Sequence, residues 1–231
     1  TAILQDISNA YNIDLFDRPH AVVPHGLADI KNPEGLLEMR KELQENGEVA
    51  LRVLYLGRLE NRKGIQYLVP ALRNLLSQHP EVEVDLIGAK TDEVNYQLVM
   101  DLCAEYPEKI IWHGFAEDEE IDRLMRKADI FIAPSLYESF GLIYVEAARY
   151  SVPSVGFAVG GVPEVVTDGV DGFLAPAGDV SALSRSLLTL VEDQELRYKM
   201  SRAARKSFET KFHYSLMAER LEKVYLSTVV Q

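Results

Sequence analysis

Leu51-Arg-Val-Leu-Tyr-Leu56-Gly57-Arg58-Leu-Glu-Asn-Arg-Lys63-Gly64 is the stretch that decides the fold. Bulky apolar residues run almost unbroken from Leu51 to Leu56, as a strand covered on both faces requires, and Gly57 ends the run. After a polar loop, an amphipathic segment from Gly64 to Gln78 predicts a helix. The same alternation continues downstream. Strands are expected at residues 82–87, 110–112, 130–133 and 152–157, with helices at 92–106, from the acidic start Glu117-Asp-Glu-Glu120, from near Phe140, and at 162–166. Residues 172–175 read as an edge strand, and from Asp179 onward the pattern is helical with breaks near Asp193 and His213. Upstream, residues 1–11 and 34–45 read as helices and Ala21-Val-Val-Pro24 as a candidate first strand. The fold class expected is α/β, a Rossmann-like parallel sheet flanked by helices.

Composition narrows the function. The 231 residues are 47% hydrophobic and 26% charged, which suits one large globular domain with extra elements. Twenty-four Lys and Arg against 36 Asp and Glu leave a net charge of −12, so nucleic acid is not expected as a partner and membrane attachment is not indicated. A bound phosphate must meet locally placed cations. The single cysteine, Cys103, allows no internal disulfide and reads as a core thiol. No apolar run approaches the about 20 residues that span a bilayer, and a cytoplasmic location is expected. The start lacks a methionine and is already helical in pattern, which reads as a cut inside a longer protein.

Ligands of an open parallel sheet sit at the carboxyl ends of its strands, and three loops there stand out. In the first, Gly57 permits a sharp turn, and Arg58 and Lys63 place two cations beside a helix start, which suits a diphosphate. On spacing alone the same cations fit a solvated loop equally well. In the second, Pro134-Ser-Leu-Tyr-Glu138-Ser-Phe140-Gly141-Leu142-Ile-Tyr-Val-Glu146, the backbone of Phe140, Gly141 and Leu142 offers amides at a helix start. Glu138 and Glu146 repel phosphate and suit hydroxyls instead, so the expected division is cations and amides for diphosphate, carboxylates for sugar or ribose. For Glu146, amid Val145, Ala147 and Ala148, a buried carboxylate held by a structural partner is the competing reading. The third loop, Gly160-Gly-Val-Pro-Glu164, permits close approach to a ligand but serves a plain turn as well. No His-Glu-x-x-His, Cys-x-x-Cys, Asp-x-Asp, Gly-x-Gly-x-x-Gly or Gly-x-Ser-x-Gly occurs in these contexts, so no zinc site, metal-held diphosphate, dinucleotide site or nucleophile elbow is expected. His20, His25, His79, His113 and His213 are scattered.

Taken in order, Val23-Pro-His-Gly26, Gly57-Arg-Leu with Lys63-Gly64, Glu138-x-Phe-Gly-Leu with Glu146-Ala, Gly160-Gly-Val-Pro-Glu164 and Asp168-Gly-x-x-Gly172 resemble the C-terminal, donor-binding half of family 4 (group 1) glycosyltransferases, over nearly the whole chain. The resemblance implies a GT-B enzyme whose two Rossmann-like domains face each other, and a retaining, metal-independent hexosyl transfer from a nucleotide sugar such as a UDP-, GDP- or ADP-hexose, with no cofactor. It implies that Arg58 and Lys63, with Gly57, hold the diphosphate and stabilise the leaving group, and that Glu138 accepts bonds from sugar hydroxyls. Phe140, Gly141 and Leu142 would present amides, Glu146 would bind the ribose, and His113 to Ala116 would border the nucleobase, largely through backbone. Arg58, Lys63 and Glu138 carry the catalytic assignment. The chain departs from the family pattern at His25, where Asn is usual, at Asp29, displaced behind Ala28, and at Ser151, where Gly is usual.

The implied organisation is a linker and helix at 1–20, the nucleotide-sugar domain at 21–212 and a crossing helix at 213–231, with the N-terminal acceptor domain absent, so that the chain alone transfers little. Leu216, Met217, Leu221, Val224 and Leu226 would form an apolar strip for that missing domain or pack on their own. Arg197, Lys199, Arg202, Arg205, Lys206 and Lys211 read as a solvated basic helix face. The alternatives are a non-catalytic donor-binding subunit of a split transferase, or a GT-B epimerase or phosphorylase, the last needing a lysine-bound pyridoxal group.

Overall fold

A computed structural model of the chain describes residues 2–11 and 21–229; the expectations for residues 12–20, including His20, lie outside them. The helices α1 (Ala2–Tyr11) and α2 (Leu36–Glu45) precede the sheet. Strand β1 (Arg52–Leu56) leads through a 3-10 turn (Asn61–Lys63) into α3 (Ile65–Gln78). β2 (Glu83–Ile87), α4 (Glu93–Glu105), β3 (Ile110–Gly114), α5 (Asp118–Lys127), β4 (Ile130–Ala133), α6 (Leu142–Arg149), β5 (Ser154–Phe157), α7 (Val162–Val165) and β6 (Gly172–Ala175) follow. The chain then continues through α8 (Val180–Glu192), α9 (Gln194–Ser207), a π-helical turn (Phe208–Phe212) and α10 (Tyr214–Val229).

All strand pairs are parallel, in the order β3-β2-β1-β4-β5-β6. Side chains alternate between two cores, one on each face of the sheet. Val53, Tyr55, Val84, Leu86, Ile130 and Ile132 face α3, α4 and α8. Leu54, Ile87, Phe131 and Ala133 face the opposite layer, with Leu124, Val145, Ala147 and Phe208. Both faces are covered, which is why the strands are near-continuously apolar. Because β1 leads to β2 on one side and β4 lies on its other side, the winding reverses between β1 and β4. In open sheets of this kind ligands bind at such a reversal, at the carboxyl ends of the two strands.

Three expectations are corrected. Residues 21–24 form no strand, since Pro24 has no N–H to donate; instead Leu27 bridges His213, donating to Phe212 O and accepting from Tyr214 N. The basic helix face is not wholly solvated. Arg197 is buried and donates to Leu190 O at 2.7 Å and Val191 O at 3.1 Å, satisfying the last carbonyls of α8, while Arg205 pairs with Asp29 and Glu209. Cys103 is half-buried against the core rather than within it, and desolvation pushes its thiol upward. No helix among the described residues is long and apolar enough to cross a membrane.

Candidate functional site

The loops after β1 and β4 are pressed together at the reversal. Gly64 has φ +78, and a Cβ there would lie 1.8 Å from Pro134 O, so only glycine allows this approach. Leu136 N–H donates to Arg62 O at 2.8 Å across the same seam. The approach brings Lys63 Nζ to 2.6 Å from Glu138 Oε1, although 75 positions separate the two residues in the chain. Both side chains are mostly buried, so solvent screens the pair weakly. Cations and carboxylates are therefore not divided here as the sequence suggested; one of each meets before any ligand arrives.

Glu138 is held from a second side. Ser135 Oγ donates to the same Oε1 at 2.9 Å, and Gly161 N–H donates to Glu138 O at 2.9 Å. Gly160 has φ +49, and a Cβ there would sit 2.0 Å from Glu138 O. The paired glycines thus admit the Glu138 backbone, which accounts for their close-approach signature without a ligand. Asp168 likewise accepts from Leu174 N at 2.9 Å and shapes a turn.

Arg58 is half-exposed and paired with Glu60 at 3.1 Å, its loop steadied by the Tyr55 hydroxyl donating to Arg58 O. Gly57 N–H donates to Ile87 O, so this glycine still belongs to the sheet edge. At the start of α6, Gly141 caps in the left-handed region with φ 91 and no side-chain cap. The amides of Gly141, Leu142 and Ile143 donate to no acceptor among the described residues, as expected for a first helical turn. Phe140 packs edge-on against His25 at 5.3 Å and Phe212 at 6.0 Å, which ties this turn to the segment before Leu27.

Glu146, further along α6, lines a cleft of about 510 Å³ shared with Asp118, Asp122, Arg126 and Arg149; Lys63 and Glu138 do not line it. Burial raises its carboxyl above the usual carboxylate range, opposed by the Arg149 cation and reinforced by Asp118. No described residue hydrogen-bonds to it, and the Arg149 cation is its electrostatic neighbour. The His113 imidazole is committed inward, with Nε2 2.7 Å from Asp85 Oδ1 and Nδ1 3.7 Å from Glu120. What this segment offers a ligand comes from backbone and from its neighbours, among them half-buried Ala116 and Phe115, which is 73% exposed. Sequence reasoning passed over Ser135. Its signal was the spacing, because a serine three residues before a carboxylate in a turn is within reach of it.

The arrangement suits an anionic ligand carrying hydroxyls. The chain is 29% identical to a glycogen synthase of Mycobacterium tuberculosis over 179 residues, 76% of this chain and 42% of that protein. It superimposes on sucrose-phosphate synthase of Thermosynechococcus elongatus with a TM-score of 0.76 at 22% identity, covering 100% of this chain and 57% of that one. HepE of Anabaena, solved in complex with UDP-glucose, matches with a TM-score of 0.69 at 25% identity over 87% of this chain and 56% of its own. The chain thus spans about half the length of the relatives it matches. The profile of the family Glycosyl transferases group 1 covers residues 37–207, and with that match over most of its length the chain belongs to this family of glycosyltransferases.

Proposed function

We propose that this chain is the donor-binding, C-terminal half of a family 4 GT-B enzyme that transfers a hexose from a nucleotide sugar with retention and without a metal, to an acceptor held by a separate N-terminal domain. The observation that carries the reading is the meeting of Lys63, Glu138 and the unsatisfied amides of α6 at the winding reversal, where an open α/β sheet binds its ligand. The HepE complex with UDP-glucose supports a nucleotide-sugar donor.

In this mechanism the α6 amides and Lys63 receive the diphosphate, and Arg58 swings from Glu60 to join them. As the glycosidic C–O bond breaks, negative charge grows on the leaving diphosphate, and the cations gathered on it at binding favour that charge more than the ground state. They do the work that a divalent ion does elsewhere. Glu138 accepts bonds from sugar hydroxyls and Glu146 from the ribose, whose hydroxyls supply the donors that carboxylate lacks. Retention follows from the family resemblance. Calorimetric titration with UDP-, GDP- and ADP-sugars is expected to show binding of at least one. Lys63→Ala is expected to weaken it about tenfold or more, the loss of one charge-assisted hydrogen bond, and Arg58→Ala to weaken it as well. A chain that binds none of them, or that binds equally well without both cations, would refute the proposal.

A further inference from the structure

Glu138 is restrained more closely than a sugar-binding carboxylate needs to be for affinity alone. Its terminal torsion is intrinsically broad and nearly two-fold, so an unrestrained carboxylate presents either oxygen. Here Oε1 accepts from Lys63 Nζ at 2.6 Å and from Ser135 Oγ at 2.9 Å, while the Glu138 backbone is fixed by Gly161 N–H. Ser135 is 2% exposed. It is too deep to serve as a ligand contact, and its single hydroxyl proton is committed to Glu138. Two donors on one oxygen leave Oε2 as the oxygen with no partner among the described residues.

We propose that Ser135 is a positioning residue of the donor site: it pins Oε1, which Lys63 also contacts in the ligand-free chain, so that Oε2 alone is presented to a hydroxyl of the donor sugar. This rests on the reading of Glu138 as the sugar contact. Lys63 by itself does not set the orientation, because its ammonium has three protons and a flexible stem and must also face the diphosphate. Ser135, rigid and buried, holds Oε1 while Lys63 turns toward phosphate. Removing its hydroxyl releases the carboxylate torsion and costs recognition of the sugar, whereas diphosphate binding, which depends on amides and cations, stays as it was.

The test compares the intact chain with Ser135→Ala and with Ser135→Cys, which is close in size but a weaker donor. Each is titrated calorimetrically with the UDP-, GDP- or ADP-glucose that the wild type binds most tightly and with the matching nucleoside diphosphate. The wild type is expected to bind the sugar nucleotide more tightly than the bare diphosphate. Ser135→Ala is expected to lose about tenfold of that added affinity, the weight of one hydrogen bond to a charged group, with diphosphate affinity changed less than about twofold. Ser135→Cys should fall between the two, and it carries the comparison alone if Ser135→Ala does not fold. A merely structural serine would weaken both ligands together; that result, or no loss toward either, overturns the positioning role. A wild type that gains nothing from the sugar, or binds no nucleotide, refutes the reading of Glu138 itself before any variant is made.

Discussion

Glu138 and Glu146 share a helix start and its helix, yet their surroundings differ in a way that pH exposes. Glu138 has Lys63 and Ser135 on one oxygen, while Glu146 is half-buried with no hydrogen bond from the described residues. A carboxylate in that condition destabilises the ligand-free fold when ionised, and such sites are often kept for binding. Burial raises the folded-state value of Glu146 above the about 4.3 of an unfolded chain, so through this window the folded state holds the proton more tightly. Stability is therefore lost as pH rises from about 4.3 through the raised value, and the loss is constant above it. Glu146→Gln removes the ionisation. Scanning calorimetry is expected to give the variant a higher Tm than the wild type at pH 7.5, with the difference closing toward pH 4, and a difference independent of pH would contradict this account. Glu138, Arg58 and Lys63 were legible in the sequence as residue types in strand-end loops, and Glu146 as a carboxylate on the helix that follows one of them. The pairing of Lys63 with Glu138 was not, because it depends on which strands are neighbours.

At the scale of elements, α6 shows how much of the site is made by unusual backbone at helix ends. Gly141 opens it at φ 91, and Ser151 lies just beyond its last turn at φ 58, a left-handed conformation that penalises a side chain. The position where the family resemblance expects glycine is thus one where glycine relieves strain. Ser151→Gly should stabilise the chain by about 0.5–1 kcal/mol, the left-handed penalty less the added freedom of the unfolded chain, and raise Tm by roughly 1–4 °C. A fall in Tm would mean that the serine side chain contributes packing exceeding that strain. The elements themselves were largely readable from periodicity, with ends displaced by a residue or two. The exceptions have local causes. Residues 21–24 have strand-like composition but pair with no strand, and Arg197 has the look of a surface residue but is drawn inward by the free carbonyls of α8.

Across the whole molecule, α10 stands apart from what holds the sheet together. None of its described side chains belongs to either core, and Tyr214, Tyr225 and Leu226 on it are exposed at 53%, 66% and 59%. A chain ending at Ser215 keeps the Leu27 to Tyr214 hydrogen bond and every described residue of both cores. It is expected to unfold in one cooperative transition with Tm within about 4 °C of the full chain, as for a change of about 1 kcal/mol in a domain of this size. Loss of cooperativity on that truncation would show that α10 is integral to the fold. What the sequence determined by itself was the succession of strand, loop and helix and the kinds of residue in each loop, because hydrophobic period and turn chemistry are local properties of the chain. What only the tertiary structure decided was which loops meet. Strand order is set by how both faces of the sheet are covered, and it is the placement of β4 beside β1 that joins Lys63 to Glu138 and leaves Glu146 facing a different cleft.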